Sequence, residues 1–287
     1  MEKTAFNVPN SAIPFATSLA LQRYRVAERG IEEAKAHGFS HWYIDFSIPS
    51  ETPDLWSHDR VAALKRQIAA LDVYPFMHSN FKAPIASDVE ELRFAAVQYV
   101  KKEIDLAALF DAPLIIHAGG IVEPRLIFQA KARALDNFII SVNELTAYAD
   151  NLGVTLWLEN LSNYTTYQPF YYIFTTPGEF STVLSACPKA MLFFDIGHAN
   201  IGHGDPCSII KQFHDRLAGI VVNNNDGVRD QHVNMDNGTV DYEAIMTVLK
   251  QTQWSGALGF EVRDMAPREA LSQLVSCYQA IECVPAM

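Results

Sequence analysis

An alternation of short apolar segments with longer amphipathic segments runs through the whole chain and constrains its fold more than any other feature. Short apolar runs that end in polar or Gly-rich turns predict buried strands, and apolar residues recurring every three to four positions predict helices. The predicted strands are residues 12–19, 41–48, 73–77, 114–116, 154–158, 191–194, 219–222 and 257–260. The predicted helices are residues 21–36, 54–71, 87–110, 124–151, 177–186, 206–217, 241–251 and 267–282, with Ser87 as the N-cap of the third helix.

Strands that alternate with helices are expected to be parallel, because each crossover needs a helix to return the chain. Eight such repeats in 287 residues match a (β/α)8 barrel. The sequence therefore predicts an α/β protein, a TIM barrel that forms a single domain over residues 1–287. An open doubly wound sheet is the alternative, and the lack of a Gly-rich dinucleotide-binding loop after the first predicted strand argues against it.

Net charge and cysteine content limit the partners and the location that we expect for the protein. The formal net charge of -11 argues against a surface that neutralises phosphates, and so against a nucleic-acid partner. The four cysteines have no Cys-x-x-Cys spacing, no secretory leader is evident, and no apolar run approaches the roughly 20 residues that span a bilayer. We therefore expect reduced thiols, a cytoplasmic location and no membrane segment.

Residues of the types that bind metals recur just after the predicted strands. They are His78, His117, Glu159, Asp195 with His198, Asp230 with His232, and Glu261. In a barrel the carboxyl ends of all strands meet at one face, where several carboxylates would repel one another unless a cation neutralised them. Mixed imidazole and carboxylate donors suit zinc or manganese best, with iron, cobalt or magnesium as alternatives. A single Asp–His pair at a strand end has a structural explanation, but eight such residues predict a divalent-metal site.

Three segments carry a resemblance to a known family. They are FFDIGHANIGHGDP at residues 193–206, NNNDGVRDQHVNMDNGTVDY at residues 223–242 and GALGFEV at residues 256–262. Through them the chain resembles the xylose-isomerase-like TIM-barrel superfamily, which includes endonuclease IV and many sugar isomerases and epimerases. The resemblance extends from the second predicted strand to the eighth.

The resemblance implies specific ligand sets. Similarity to endonuclease IV implies three zinc sites, whose ligands would be His78, His117 and Glu159 for the first ion, Glu159, Asp195 and Glu261 for the second, and His198, Asp230 and His232 for the third. Similarity to the single-metal isomerases and epimerases implies one ion bound by Glu159, Asp195, Glu261 and a histidine from strand 7. The number of ions is therefore expected to be one to three.

The chain departs from this pattern in strand 7, where the family usually has the histidine. In the preferred register Val221 falls on the histidine and Asn224 on a following aspartate of the family. An alternative register places Asn223 at the histidine position. Valine cannot bind a metal and asparagine is a poor zinc ligand, so the second site lacks one strong ligand in either register.

The resemblance also implies roles for individual side chains. Glu159 and Glu261 are the predicted catalytic pair, which would move a proton at a carbon next to a carbonyl or hydroxyl group; the alternative is that both are only ligands. Asn160, His198 and Arg263 are the predicted substrate-binding residues. Asn160 could instead support the ligands, and Arg263 could pair with an anionic substrate group or with a ligand carboxylate.

Three functions are open at this point. The preferred one is a divalent-metal-dependent isomerase or epimerase of a sugar, a sugar phosphate or a related small polyhydroxylated substrate. The alternative is an endonuclease IV-like phosphodiesterase, and the third is a metal-binding barrel without activity. The aromatic residues between Tyr164 and Tyr172 would form either a lid over the site or a contact in a homo-oligomer.

Overall fold

A computed structural model describes residues 13–20, 26–119, 125, 127–202 and 204–281. Eight parallel strands close into a barrel, each paired with the next and the last paired with the first. The strands are β1 Ala16–Leu19, β2 His41–Asp45, β3 Tyr74–His78, β4 Leu114–Ile116, β5 Leu156–Glu159, β6 Met191–Asp195, β7 Leu217–Val222 and β8 Ala257–Phe260. The predicted single-domain TIM barrel is confirmed.

Helices connect successive strands, and a last helix follows β8. They are α1 Ala27–His37, α2 His58–Leu71, α3 Glu90–Leu109, α4 Ile127–Asp150, α5 Pro177–Ala186, α6 Ile196–Asn200, α7 Pro206–Phe213, α8 Tyr242–Gln251 and α9 Pro267–Ala280. Side-chain oxygens cap several of the first turns: Thr176 caps α5, Asp205 caps α7 and Asp241 caps α8. Each accepts a hydrogen bond from a first-turn N–H group, which would otherwise lack a partner.

Several observed helix and strand boundaries differ from the predicted ones. Ser87 is not the N-cap of α3, because its hydroxyl accepts the N–H of Val89 and delays the helix until Glu90. The predicted helix 206–217 is wrong at its end, where Leu217 already begins β7. The residues directly after Asp195 form the short helix α6. The predicted bounds of β4, α5 and β8 are confirmed, whereas residues 12, 21–25, 124, 126 and 282 of the predicted elements lie outside the described residues.

Alternation of side chains along the strands separates a packed interior from a polar rim. One cluster of buried side chains includes a residue from every strand, namely Ala16, Tyr43, Phe76, Ile115, Trp157, Phe193, Val221 and Ala257. Two positions further along β2 to β7 stand Asp45, His78, His117, Glu159, Asp195 and Asn223. Because successive side chains point to opposite faces, these polar residues face the barrel axis just above the packed cluster. We call the space they surround, at the carboxyl ends of the strands, the mouth of the barrel.

Aromatic rings form most of the floor below the mouth. The centroids of Phe76 and Trp157 lie 5.1 Å apart, those of Trp157 and Phe193 5.5 Å apart, and those of Tyr43 and Phe193 6.1 Å apart. Gly259 of β8 makes room for this packing, because a Cβ atom there would lie 1.4 Å from the Tyr43 hydroxyl oxygen. The floor closes the barrel below the mouth, so the interior is a core and not a channel.

No helix in the described ranges is both long enough and apolar enough to cross a membrane. Cys187, Cys207 and Cys277 are free thiols, and Cys283 lies outside the described residues.

We predict that Gly259→Ala destabilises the barrel by about 1–3 kcal/mol, because the added methyl group displaces a buried tyrosine ring from a close-packed floor. Gly178→Ala is the matched control, since no atom lies within 4 Å of a Cβ at that helical position. The control is expected to be neutral or to stabilise by about 0.5–1 kcal/mol. Urea unfolding of both variants tests this, and equal stabilities would contradict the role of Gly259.

Candidate metal centre

Three side chains from adjacent strands converge at one side of the mouth. His78 ends β3, His117 follows β4 and Glu159 ends β5. The two Nε2 atoms lie 3.1 Å apart, and Glu159 Oε2 lies 3.5 Å from Nε2 of His78 and 3.6 Å from Nε2 of His117. All three side chains are buried. We call these residues the first donor set, because one atom of each points to a common space.

A second trio of donor residues also lies at the mouth. His198 belongs to α6, and Asp230 and His232 belong to the loop that follows β7. The Asp230 carboxylate lies 3.0 Å from Nε2 of His232 and 3.6 Å from Nε2 of His198. His232 is held at a φ of 52°, a conformation that is unfavourable for a non-Gly residue and is concentrated at functional sites. These residues form the second donor set.

Backbone and side-chain partners fix which ring nitrogen each histidine presents. Nδ1 of His198 donates to the carbonyl oxygen of Asn160 at 2.8 Å, and Nδ1 of His232 donates to that of Glu261 at 3.1 Å. Nδ1 of His78 lies 3.5 Å from the carboxylate of Asp45. In each case the Nε2 lone pair is left to face the other donors, which is the arrangement that holds metal-binding histidines in place.

Asp195, Asn223 and Glu261 lie between the two donor sets. Asn223 Nδ2 donates to both carboxylate oxygens of Asp195, at 2.9 and 3.1 Å. The preferred sequence register for strand 7 is wrong: Val221 is buried in the floor, and Asn223 is the residue that β7 directs to the site. The structure agrees with the alternative register in placing Asn223 beside Asp195. Glu261 follows β8, with its carboxylate 3.4 Å from Nδ1 of His232.

The acidic groups at the mouth differ in their protonation. Burial raises the pKa of Glu261 to about 7, and the nearby Glu159 and Asp195 carboxylates add to this shift although His232 opposes it. Burial would also raise the pKa of Glu159, but the imidazoles of His117 and His78 hold it below its usual value. Burial likewise opposes ionisation of Asp230, but the imidazoles of His198 and His232 beside it hold its pKa well below the usual range. Glu261 thus exchanges a proton near neutral pH, whereas Glu159 and Asp230 stay ionised.

Two carboxylates that support the first donor set were missed in the sequence. Asp45 faces the mouth beside His78 and lies in a segment that was read as strand throughout. Glu103 reaches in from α3, where its carboxylate accepts the Ser79 hydroxyl at 2.5 Å and the Asn80 N–H at 2.9 Å. It thereby holds the two residues that follow His78. Alternation of side chains along β2 could have identified Asp45 as a residue that faces the barrel axis. No sequence pattern around Glu103 predicts its contact with the residues after His78.

The predicted substrate-binding residues have different surroundings. The Asn160 side chain is buried, and its amide bonds the backbone N–H and C=O of Asp195, so it positions that residue. Arg263 is exposed, and its backbone N–H donates to the His232 carbonyl. His198 presents Nε2 to the second donor set. Contact of any of these residues with a substrate stays a prediction.

Aromatic side chains border the mouth on two sides. Phe81 lies beside His117, with ring centroids 6.5 Å apart. In the predicted aromatic loop, the Tyr172 ring contacts Tyr164 and Phe170 at centroid distances of 6.4 and 5.3 Å. Burial raises the pKa of Tyr172, and Asp230 is among the charges that add to the shift, which places this ring near the second donor set. These rings provide apolar walls for a small substrate.

The residues at the mouth suit a divalent cation. Three groups of residues each bring their donor atoms within 4.8 Å of one another. They are the first donor set, the second donor set, and Glu159 with Asp195 and His198. In the described part of the chain, Glu159 Oε2 and His117 Nδ1 are buried without a hydrogen bond. A buried carboxylate oxygen that faces two imidazole nitrogens and lacks a hydrogen bond fits a bound cation.

Comparison with known proteins identifies the family. Residues 31–280 match the family described as xylose isomerase-like TIM barrel, and the chain belongs to this family. The uncharacterized protein MJ1311 of Methanocaldococcus jannaschii is 22% identical over 268 residues, which span 88% of this chain and 84% of that protein.

Solved structures share the fold. A D-tagatose 3-epimerase-like protein superposes with a TM-score of 0.77 at 20% identity, covering 92% of this chain and 98% of the other. A D-psicose 3-epimerase determined in the presence of D-fructose gives a TM-score of 0.74 at 14% identity, covering 92% and 99%. At these identities the similarity establishes a common architecture.

We predict that Glu103→Gln flattens the pH dependence of stability. Burial raises the pKa of Glu103 from 4.5 to about 8 in the folded protein. A group with a raised folded pKa contributes stability that is complete below pH 4.5 and is lost as the pH rises through about 8. Between pH 5 and pH 9 the wild type should therefore lose about 2–5 kcal/mol relative to the neutral glutamine variant.

Urea unfolding at pH 5, 7 and 9 in the presence of a chelator measures this difference. Glu243→Gln, at an exposed position of α8, is the control and should follow the wild type. Parallel curves for the wild type and Glu103→Gln would show that the Glu103 carboxyl does not titrate between folded and unfolded states as expected.

Proposed function

We propose that this protein is a divalent-metal-dependent isomerase or epimerase of a sugar or a related small polyhydroxylated compound. The observation that carries the proposal is the pair of buried carboxylates Glu159 and Glu261, which belong to different strands of one mouth and whose pKa values are displaced in opposite directions. One group that stays ionised beside another that exchanges a proton near neutral pH is the arrangement of an acid–base pair. The epimerase names of the structural relatives support the same class.

The chain's own residues divide the work of such a reaction. His78, His117 and Glu159 would hold the cation, which when bound polarises a substrate oxygen and lowers the pKa of the adjacent C–H bond. Glu261 is placed to take a proton from that carbon or return one to it, because its carboxyl changes protonation near neutral pH. His232, 3.4 Å from the Glu261 carboxylate, keeps that group oriented.

The side chains that line the mouth suit a small substrate with both apolar and polar groups. Phe81 and Tyr172 supply ring surfaces that pack against the carbon skeleton of a sugar and exclude water from the reacting carbon. The imidazole and carboxylate groups between these rings suit several hydroxyl groups at once. A small polyhydroxylated molecule satisfies both kinds of contact.

Solvent exchange tests the reaction directly. Zinc- or manganese-loaded protein is incubated in D2O with a panel of ketopentoses and ketohexoses, and proton NMR follows inversion and deuterium incorporation at the same carbon. Glu261→Gln should lower kcat by about 10²–10⁴-fold, because it removes the group that transfers the proton. Metal content should stay unchanged in this variant, because Glu261 belongs to neither donor set.

Glu243→Gln again serves as the control and should retain full turnover, since this side chain is exposed on α8. Full activity of Glu261→Gln would remove that residue from the chemistry. Inversion without deuterium incorporation, together with chelator-resistant turnover, would argue against a metal-dependent proton transfer.

The second donor set favours one alternative, hydrolysis of a phosphodiester, because a single-ion epimerase does not require it. Among the described residues, however, one basic group of the loop after β7 is already engaged: the Arg229 guanidinium is paired with Asp226 at 2.6 and 3.0 Å. Binding a nucleic-acid backbone takes several unpaired cationic groups.

We therefore predict that duplex DNA carrying an abasic site is neither bound specifically nor cleaved by the metal-loaded protein. Gel-shift and strand-cleavage assays over a range of salt concentrations measure both properties. Salt-sensitive binding accompanied by cleavage at the abasic site would favour the phosphodiesterase over the epimerase.

A further inference from the structure

The carboxylate of Asp195 is already satisfied by N–H groups. Asn223 Nδ2 spans its two oxygens at 2.9 and 3.1 Å, and the backbone N–H of His198 donates to Oδ1 at 2.7 Å. Asp195 is fully buried. The amide nitrogen thus occupies the edge of the carboxylate from which a cation would bind both oxygens.

The protein is built around this amide. A Cβ atom on Gly197 would lie 1.7 Å from Oδ1 of Asn223, so only glycine at that position leaves room for the side chain. The Tyr242 hydroxyl donates to the backbone oxygen of Asn223 at 2.7 Å and fixes the end of β7. The opposite orientation of the amide would place its oxygen against the Asp195 carboxylate, so electrostatic repulsion selects the orientation that donates.

His198 is also turned away from Asp195. Its Nδ1 lies 3.6 Å from the Asp195 carboxylate, but this nitrogen carries the proton that is donated to the Asn160 carbonyl at 2.8 Å. A protonated nitrogen is not a metal ligand. The nitrogen of His198 with an available lone pair is Nε2, which faces Asp230. His198 therefore belongs with the second donor set and not with Asp195.

We propose that Asn223 takes the place of a cation at Asp195, so that the chain binds two divalent cations, one at each donor set, and Asp195 is not a metal ligand. One ion is held by His78, His117 and Glu159, and the other by His198, Asp230 and His232. The inference rests on the metal dependence proposed above but not on epimerase turnover, because it concerns only which residues bind ions.

Metal stoichiometry tests the assignment without an activity assay. The protein is loaded with ZnCl2 or MnCl2 at pH 7.5, desalted and analysed by elemental mass spectrometry. Two equivalents are expected for the wild type and for Asp195→Asn, whereas Glu159→Gln and Asp230→Asn should each retain one. Asp195→Asn keeps an oxygen that accepts the N–H of His198, and circular dichroism confirms that each variant is folded. Loss of an equivalent in Asp195→Asn, or one or three equivalents in the wild type, would overturn the proposal.

A second variant tests the role of the amide itself. Asn223→Asp keeps the shape of the side chain but places two carboxylates about 3 Å apart in a buried site, where a cation is needed between them at pH 8. This variant should gain a third equivalent, and adding Asp195→Asn to it should remove that equivalent. If Asn223→Asp still binds only two ions, the amide is not what keeps a cation from Asp195, and the role given to Asn223 is wrong.

Asn237→Asp is the matched control for the added charge. The Asn237 amide also donates to a carboxylate, Oδ2 of Asp264 at 3.0 Å, but this pair is exposed to solvent. Its stoichiometry should stay at two, because water screens the added charge at the surface. A gain in this control equal to that in Asn223→Asp would show that the third ion is bound nonspecifically.

Discussion

Every strand of a closed barrel must turn alternate side chains toward the axis, and this alternation decides what stands at the mouth. The floor residues Tyr43, Phe76, Trp157 and Phe193 fill the interior, so the next inward position along each of these strands is lifted to the rim. Polar side chains at that position pack against their neighbours at the sides, and their ends face the mouth. The packing of the floor and the composition of the site therefore follow from the same periodicity.

Electrostatic balance is the second requirement for such a mouth. Several carboxylates gathered in a buried space would repel one another, and each would be protonated unless positive charge or N–H donors compensated. Imidazoles compensate at the two donor sets, as the depressed pKa of Asp230 between His198 and His232 shows. Glu261 receives the least compensation and keeps a pKa near 7. Differences in compensation thus distinguish the donor-set carboxylates Glu159 and Asp230, whose pKa values are lowered, from Glu261, whose pKa is raised to about 7.

The fold could be predicted because buried parallel strands are continuous apolar runs. Such runs and their spacing can be recognised in the sequence without knowing which residues are in contact. The sequence also predicted the donor sets, since each member directly follows such a run or lies in the loop beyond it. Boundaries were less predictable: the Ser87 turn and the early start of β7 at Leu217 depend on hydrogen bonds that no periodicity reveals.

The register of β7 shows where prediction from sequence stops and why. Three consecutive asparagines follow Val222, so polarity alone could not identify the one that faces the axis. Pairing of β7 with β6 and β8 settles the choice, because Val221 aligns with Asp195 and Gly259 and leaves Asn223 as the next inward residue. The support that Glu103 gives to the residues after His78 was equally hidden, since it joins a helix to a strand end 23 and 24 positions away in sequence.

Replacing a ligand by an amide has a consequence for the chemistry. An amide satisfies the Asp195 carboxylate without adding a cation next to Glu261, and a nearby cation would hold the Glu261 carboxyl ionised by lowering its pKa. Burial and the neighbouring carboxylates raise the pKa of Glu261, and on this assignment no cation beside Asp195 opposes that shift. On the proposed assignment Asn223 does not disable the site, because the residues that would bind ions are separate from Glu261, the residue proposed to transfer the proton.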